Sequence, residues 1–328
     1  MGQRRRFLGQ ALTGLAWASL AGAGLPGCAP RQEPLVRIAT NVFPGYELMY
    51  LAAERGHFSP DAVRMVEMPS ATACLQALAA GSVEGAGLTL DEVISARADN
   101  MRLKVVAVLD VSLGADVLIA KSGITALTEL RGRRIGVEQT AVGAVMLDAV
   151  LSQAGLSPGD VQVVYATVDR HRDLFLNDGV DALVTFEPVP SQLAPAGAKR
   201  LFDSSVIPGR IVDVLAVREE VIGQSPGALR QLLAGHFLAL AELRSDPRAA
   251  SPIIARRLGI PPEAVPAAYH GLDLPDAAAN RTWLAGRPSQ LETAAAELQR
   301  ILLKAGLIRQ AGDLEGLGDA HFLPKAGS

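Results

Sequence analysis

Cysteine, aromatic residues and basic blocks are scarce in this sequence, and each shortage excludes a class of protein. Two of the 328 residues are Cys, which is too few for a fold held together by disulfides. Aromatic residues make up 4%, the formal net charge is −3, and no block of Lys or Arg follows the first six residues. A nucleic-acid-binding surface needs positive charge and often stacking rings, so we expect no nucleic-acid partner.

Long apolar runs are also missing after the N-terminal region. None reaches the about 18 residues that indicate a membrane-spanning helix, so a multi-span membrane protein is excluded. The composition is 49% hydrophobic and 20% charged, with 32 Gly and 20 Pro, which is typical of a globular chain rather than a disordered or collagen-like one. At about 150 residues per domain, the length predicts two lobes.

The first 28 residues have the parts of a bacterial export signal. Residues 4–6 are three Arg, residues 11–25 are apolar, and residues 25–28, LPGC, resemble a lipobox. We therefore expect residues 1–27 to be a signal peptide, Cys28 to carry a lipid, and residues 28–35 to link this anchor to an exported body. Residues 4–8, RRRFL, resemble a twin-arginine signal, and an ordinary secretory signal is the alternative.

The rest of the chain alternates short strand patterns with helix patterns, which favours two α/β lobes with parallel sheets. The predicted strands are 36–40, 63–68, 83–88, 103–109, 115–120, 134–137, 161–165, 182–185, 200–202 and 211–217. The predicted helices are 46–55, 72–80, 91–98, 142–154, 169–175 and 187–193, and from Ser225 onward the pattern is helical only. The Gly-rich residues 313–328 are expected to be a loosely held tail.

Sequence motifs for catalysis and metal binding lack the context they need. Residues 22–27 match G-x-G-x-x-G inside the signal, and residues 223–227 match G-x-S-x-G with a Pro that removes an oxyanion donor. The five His show no metal spacing, and His171 lies among charged residues typical of a solvated helix face. Cys74 lies on an apolar helix face and is expected to be a buried small hydrophobe. We predict no catalytic residue, metal site or cofactor.

Polar and aromatic residues follow the predicted strands, where open α/β sheets bind ligands. Each hydroxyl could merely cap a helix, but six such segments at equivalent places indicate a site for a small polar molecule. We expect Phe43 and Tyr46 to form one wall of a cleft and Phe186 the opposite wall. The candidate ligand-binding residues are Asn41, Phe43, Tyr46, Ser70, Thr72, Thr89, Ser112, Asp116, Thr140, Val142, Gly143, Phe186 and Glu187.

Four segments, in this order, resemble a known family. They are residues 43–58 (FPGYELMYLAAERGHF), 127–137 (LTELRGRRIGV), 186–188 (FEP) and 213–218 (DVLAVR). They resemble the substrate-binding proteins of ABC importers in the aliphatic sulfonate, taurine, nitrate and thiamine-pyrimidine group. The resemblance covers about residues 36–243 well and the C-terminal helices loosely.

The resemblance implies a periplasmic-binding-protein type II fold, with two α/β lobes that close on a ligand like a hinge. Lobe 1 would comprise residues 36–120 and 214–312, including the C-terminal helices, and lobe 2 residues 121–213. The implied function is binding without catalysis by an exported, membrane-anchored monomer, which delivers a small molecule to an ABC transporter permease. A sensing module for a membrane receptor is an alternative. A thiamine-pyrimidine synthase is disfavoured, since its Cys-rich loop is absent after Cys74.

The charge of the ligand stays open from the sequence. Ser70, Thr72, Ser112 and Thr140 could bind an anion together with helix N-termini. Yet the strand ends also carry acids and no Lys or Arg, which favours a neutral or cationic organic molecule if two or more of them face the cleft. These acids are Glu47, Asp91, Asp116, Glu138 and Glu187.

Overall fold

The computed structural model describes residues 33–325, which form two sheets flanked by helices. The first sheet has the strand order β11-β4-β10-β3-β1-β2 and the second has the order β7-β6-β8-β5-β9. The first consists of β1 (Val36–Thr40), β2 (Val63–Glu67), β3 (Gly85–Thr89), β4 (Leu103–Ser112), β10 (Val212–Arg218) and β11 (Leu272–Asp273). The second consists of β5 (Val117–Ala120), β6 (Arg134–Val137), β7 (Gln162–Tyr165), β8 (Ala182–Thr185) and β9 (Lys199–Asp203).

The helices follow the predicted alternation, but the prediction of a helical-only region after Ser225 is wrong in one respect, because the two-residue strand β11 lies within it and pairs with β4. Those of the alternating region are α1 (Glu47–Glu54), α2 (Ala71–Ala79), α3 (Leu90–Ala98), α4 (Ala141–Ala154), α5 (Val168–Leu176) and α6 (Val189–Leu193). Those after β10 are α7 (Glu219–Gln224), α8 (Pro226–Ser245), α9 (Pro247–Leu258), α10 (Val265–Ala268), α11 (Ala277–Leu284) and α12 (Gln290–Lys304). Among residues 33–325, no helix is long and apolar enough to cross a membrane.

The sheets are mixed, so the expectation of parallel sheets is wrong in one respect. β10 runs antiparallel to β3 and β4, and β5 runs antiparallel to β8 and β9. Each of these two strands is the first one after the chain crosses from one sheet to the other. A chain that arrives from the other lobe enters its new sheet at the edge facing that lobe, so it runs opposite to the strands that end there.

The pairing also moves the lobe boundaries. Val117–Ala120 was expected in lobe 1, but these residues pair with β8 and β9 in the second sheet, so the first crossing lies at 113–116. Asp213 was expected in lobe 2, but it pairs with Thr89 and Asp110 in the first sheet. The composition of a strand does not determine which sheet it joins. Both lobe boundaries predicted from the sequence are therefore wrong by a few residues. Lobe 1 below means the first sheet with its helices, and lobe 2 means the second.

Buried strands and hydrogen bonds from α11 to β4 stabilise lobe 1. β3, β4 and β10 are buried nearly throughout, as expected for strands covered on both faces. Asn280 on α11 accepts the Val108 N–H at 2.7 Å and donates to the Val108 carbonyl at 3.0 Å, where the β4–β10 register shifts. Because the Asn280 side chain bonds both the N–H and the carbonyl of Val108, neither backbone group is left unpaired where the β4–β10 hydrogen bonding is interrupted.

The expectation of a loosely held tail is wrong for the described part of it. The Val105 N–H donates to the Leu317 carbonyl, and the Asp319 N–H donates to the Val105 carbonyl, each at 2.8 Å. Leu317, Phe322 and Leu323 are buried in the core of lobe 1. Apolar side chains spaced along the Gly-rich segment therefore anchor it. Cys28, the signal peptide and most of the linker lie outside the described residues.

Candidate ligand-binding site

A cavity lies between the lobes, at the ends of the strands. Most of the predicted residues line it: Asn41, Phe43, Tyr46, Thr89, Asp116, Thr140, Val142, Gly143 and Phe186. They come together because β1, β3, β6 and β8 end at the cleft, whereas β5 begins there just after Asp116. The carboxyl ends of parallel strands lie at the same edge of a sheet, and the prediction of these residues from the sequence was based on this rule.

Ser70, Thr72, Ser112 and Glu187 are not among the lining residues. Ser70 caps α2 and accepts the Ala73 N–H at 3.2 Å. The hydroxyl groups of Ser112 and Ser204 lie 2.7 Å apart and bond the two chain crossings together. Glu187 accepts the Ser191 N–H at 3.3 Å and so braces the start of α6. Of the two candidate acids Asp116 and Glu187, only Asp116 lines the cavity.

Further lining residues were missed: Ala71, Glu92, Val137, Glu138, Met146, His171, Val184, Thr185 and Asp213. Glu138 was noted among the strand-end acids but not selected. Glu92 carried a signal, since it follows Thr89 by three residues as in a capping box, and its carboxylate accepts the Thr89 N–H at 2.9 Å. Asp213 begins an antiparallel strand, so a search of strand ends alone could not find it.

His171 was expected on a solvated face, and that expectation is wrong. It is 1% exposed, and its ring nitrogens contact the Thr185 hydroxyl and the Ala166 carbonyl, both at 3.1 Å. The carbonyl can only accept, so Nε2 carries the hydrogen and Nδ1 accepts from Thr185. Burial lowers the pKa of His171 to about 4, so the ring is neutral at pH 7.

Aromatic rings from both lobes meet at the cavity. The Phe43 ring lies 5.2 Å from Tyr46 and 5.3 Å from Phe186, both in edge-to-face contact. Phe43 and Tyr46 belong to lobe 1 and Phe186 follows β8 of lobe 2, so the contact between Phe43 and Phe186 joins the two lobes. Such contacts leave apolar ring surface for a ligand while holding the lobes together.

Carboxyl groups dominate the polar lining of the cavity. Glu92, Asp116, Glu138 and Asp213 line it, and none of the described lining residues is Lys or Arg. Burial raises the pKa of Asp116 to about 6 and the pKa values of Glu92 and Asp213 well above their ordinary range. Asp110 lies directly opposite Asp213 on β4, and its negative charge raises the Asp213 pKa further.

Two hydrogen bonds organise this acidic surface. The Tyr46 hydroxyl donates to a carboxylate oxygen of Asp213. The Thr72 hydroxyl of lobe 1 donates to Glu138 of lobe 2 at 2.8 Å, and the Thr72 N–H lies 3.4 Å from the same oxygen. The Glu138 carboxylate thus sits at the N-terminus of α2, where a helix favours negative charge. Among residues 33–325, no group of three or more His, Cys, Asp or Glu is placed to hold a metal ion.

The sequence matches one protein family and several curated proteins. The family described as NMT1/THI5 like matches residues 44–250. A protein of Brucella abortus (strain 2308) named as a binding protein is 27% identical over 159 residues, 46% of this chain and 47% of the relative. The chain thus spans about half the length of the curated relatives it matches first.

Solved structures share the fold at low sequence identity. The alkanesulfonate-binding protein SsuA from Xanthomonas axonopodis pv. citri has a TM-score of 0.73 at 19% identity, over 88% of this chain and 99% of SsuA. A ligand-binding component of an ABC-type import system from Staphylococcus aureus has a TM-score of 0.74 at 12% identity, over 89% and 98%. The desulfurization enzyme DSZB has a TM-score of 0.61 at 17% identity, over 88% and 97%. The chain has the periplasmic-binding-protein fold, which also occurs in an enzyme.

Proposed function

The chain belongs to the NMT1/THI5-like family, and from this membership and the interlobe cavity we propose that it is a solute-binding protein of an ABC importer. It would hold a small polar organic molecule between the lobes and deliver it to a permease. The observation that carries the proposal is the cavity itself: it lies at the strand ends and is lined from both lobes by rings, hydroxyls and carboxyl groups. Closure on a ligand excludes water and strengthens each polar contact.

Binding accounts for the described side chains better than catalysis does. The sulfur of Cys74 is fully buried, and burial raises the pKa of this thiol to about 12, which suppresses the reactive thiolate. His171 is neutral, with both ring nitrogens engaged. Because the fold also occurs in an enzyme, the preference for binding rests on these residues and not on the fold. A sensing module for a membrane receptor would use the same cavity and differ only in its partner.

We further propose that the protein is exported and anchored by a lipid on Cys28, as a monomer facing the periplasm or the cell exterior. The support is the order of basic, apolar and LPGC segments in residues 1–28. Cys28→Ser should leave an uncleaved or soluble species, detected by membrane fractionation and intact mass. Unchanged fractionation and mass would contradict the lipid anchor without touching the binding function.

A ligand screen tests the binding function directly. The soluble chain beginning after Cys28 is unfolded thermally in the presence of sulfonates, nitrate, pyrimidines, flavins and amines. A true ligand at about 100 times its Kd should stabilise the fold by about 2.7 kcal/mol. Phe43→Ala should abolish most of that shift, because Phe43 lies at the contact between the aromatic walls.

Tyr165→Ala serves as the control, since Tyr165 is 60% exposed and is not among the residues that line the cavity. It should keep the full ligand-induced shift. The proposal fails if no compound stabilises the protein, or if Phe43→Ala binds as tightly as Tyr165→Ala does.

A further inference from the structure

Carboxyl groups from both lobes converge on the cavity without a cationic partner among the described lining residues. Glu92 comes from α3, Asp213 from the start of β10, Asp116 from the crossing before β5, and Glu138 from the end of β6. The imidazole of His171 is uncharged at pH 7, so it does not balance them. Buried carboxylates without a partner are costly, and a cationic ligand would remove that cost.

One oxygen of Glu92 is the sharpest sign of a missing partner. Glu92 is 2% exposed, and one of its carboxylate oxygens accepts the Thr89 N–H at 2.9 Å. The other oxygen, Oε1, has no hydrogen-bond partner among the described residues. A buried acceptor without a donor is unfavourable, and a ligand N–H in the cavity can supply the donor.

At two helix starts beside the cavity, hydrogen-bond donors that could attract an anion already have an acceptor within the protein. Glu138 lies at the N-terminus of α2, with the Thr72 hydroxyl 2.8 Å from its carboxylate. At the N-terminus of α4, the Gly143 N–H donates to Thr140 Oγ1 at 3.2 Å. An anionic ligand would have to displace Glu138, and Asp116, whose pKa of about 6 leaves it mostly ionised at pH 7, would repel it.

The rest of the lining suits a hydrocarbon body. Phe43, Phe186, Val142 and Met146 present apolar and aromatic surface to the cavity. The faces of aromatic rings attract ammonium and guanidinium groups. Apolar walls favour a ligand with carbon atoms to bury, and a hydrated metal ion has none. Together with the acids, this lining defines one chemical class of ligand.

We propose that the cavity binds an organic cation, whose protonated nitrogen donates to Glu92 and is neutralised by Asp116 and Asp213. This proposal rests on the proposed binding function and names its ligand class. Burial raises the pKa values of Glu92 and Asp213 well above their ordinary range, so binding of a cation should release a proton from one of them: a neutral carboxyl group plus the cation gives the ion pair plus H⁺. The other titratable groups near Glu92 are Asp91, Glu138, Tyr46 and Cys74, and none of them is a cation.

Two isosteric series of probes test the charge preference. The first comprises guanidinium, urea and nitrate, and the second benzamidinium, benzamide and benzenesulfonate, each titrated calorimetrically into the soluble chain in two buffers of different ionisation enthalpy. We expect the cation of at least one series to bind at least tenfold more tightly than its neutral and anionic counterparts. Its binding enthalpy should depend on the buffer, because a proton is released.

Charge-removing variants connect this preference to the named residues. Glu92→Gln and Asp116→Asn keep the side-chain shapes and should each weaken binding of that cation at least tenfold. Neither should weaken the neutral probe. Glu297→Gln, on the exposed face of α12, is the matched control and should change nothing. If one variant does not fold, the other variant and the buffer dependence of the binding enthalpy still test the proposal.

The outcomes separate this proposal from the function on which it rests. Preferred binding of nitrate or benzenesulfonate would overturn the cation proposal and leave the solute-binding function standing. Ca²⁺ and Zn²⁺ are titrated in the same way, and if either binds more tightly than the organic cations and loses its binding in Glu92→Gln, the organic class is overturned. If none of the probes binds, the cation proposal also falls, and the ligand screen above decides the binding function independently.

Discussion

The Thr72 hydroxyl joins one lobe to the other. It donates to Glu138 at 2.8 Å across the cleft, so a single side chain at the start of α2 helps to hold the lobes closed. Thr72→Val keeps the shape and removes the donor. We expect a loss of about 0.5–1.5 kcal/mol in the unfolding free energy and faster amide hydrogen exchange at residues 71–74 and 138–143, because the closed form opens more often.

Thr125→Val is the matched control for this variant. The Thr125 hydroxyl also bonds a glutamate, Glu129 at 3.3 Å, but within one lobe. Its exchange changes should stay near residues 125–129. If the two variants give the same exchange at 138–143, the Thr72–Glu138 bond does not contribute to closure.

Individual site residues were predictable where chain direction decides their position. Asn41, Phe43 and Thr140 follow parallel strands, so the topology alone brings them to one edge. Met146 and His171 project from inside α4 and α5, and their facing depends on how each helix packs. No local pattern records that packing, and the charged neighbours of His171 indicated the opposite.

For the secondary-structure elements, the sequence best predicted whether a strand or helix is present and which residues it spans. The predicted strands 134–137 and 182–185 coincide with β6 and β8, because each is a short apolar run between turn signals. Strand direction was not accessible in this way. β5 and β10 look like the other buried strands, yet each enters its sheet from the opposite lobe. Direction and sheet membership depend on long-range pairing, which composition does not encode.

The chain crossings are the elements that join the lobes. Ser204 Oγ accepts the Gly114 N–H at 2.8 Å and lies 2.7 Å from the Ser112 hydroxyl, so the two crossings are bonded side by side. Gly271 packs against them with φ +86°, and a Cβ there would lie 2.6 Å from the Gly114 carbonyl carbon. Ser112 therefore belongs to the support of the hinge, and only a structure could distinguish that role from ligand binding.

For the molecule as a whole, buried acids make the folded state hold more protons than the unfolded chain. Burial raises the pKa of Asp91 and Asp116 to about 6. It raises the pKa of Glu47 to about 7, although the ion pair with Arg257 acts in the opposite direction. The pKa values of Asp110 and Asp213, like that of Glu92, lie still further above the ordinary range. The same acids that shape the cavity thus couple stability to pH.

We expect the unfolding free energy to fall as the pH rises from about 5 to 7.5. Groups with raised folded-state pKa values stabilise the fold below their unfolded pKa and lose that contribution as the pH passes through about 6 and 7. The buried His171 and His236, with pKa values lowered to about 4, act in the opposite sense as the pH falls below about 6.5, but the acids outnumber them. Each excess proton contributes about 1.4 kcal/mol per pH unit. Urea unfolding at pH 5, 6, 7 and 7.5 measures how the unfolding free energy changes with pH. Asp116→Asn should make this dependence weaker, and Glu297→Gln should leave it unchanged. An unfolding free energy that rises over this range would show that the buried acids are ionised in the folded state.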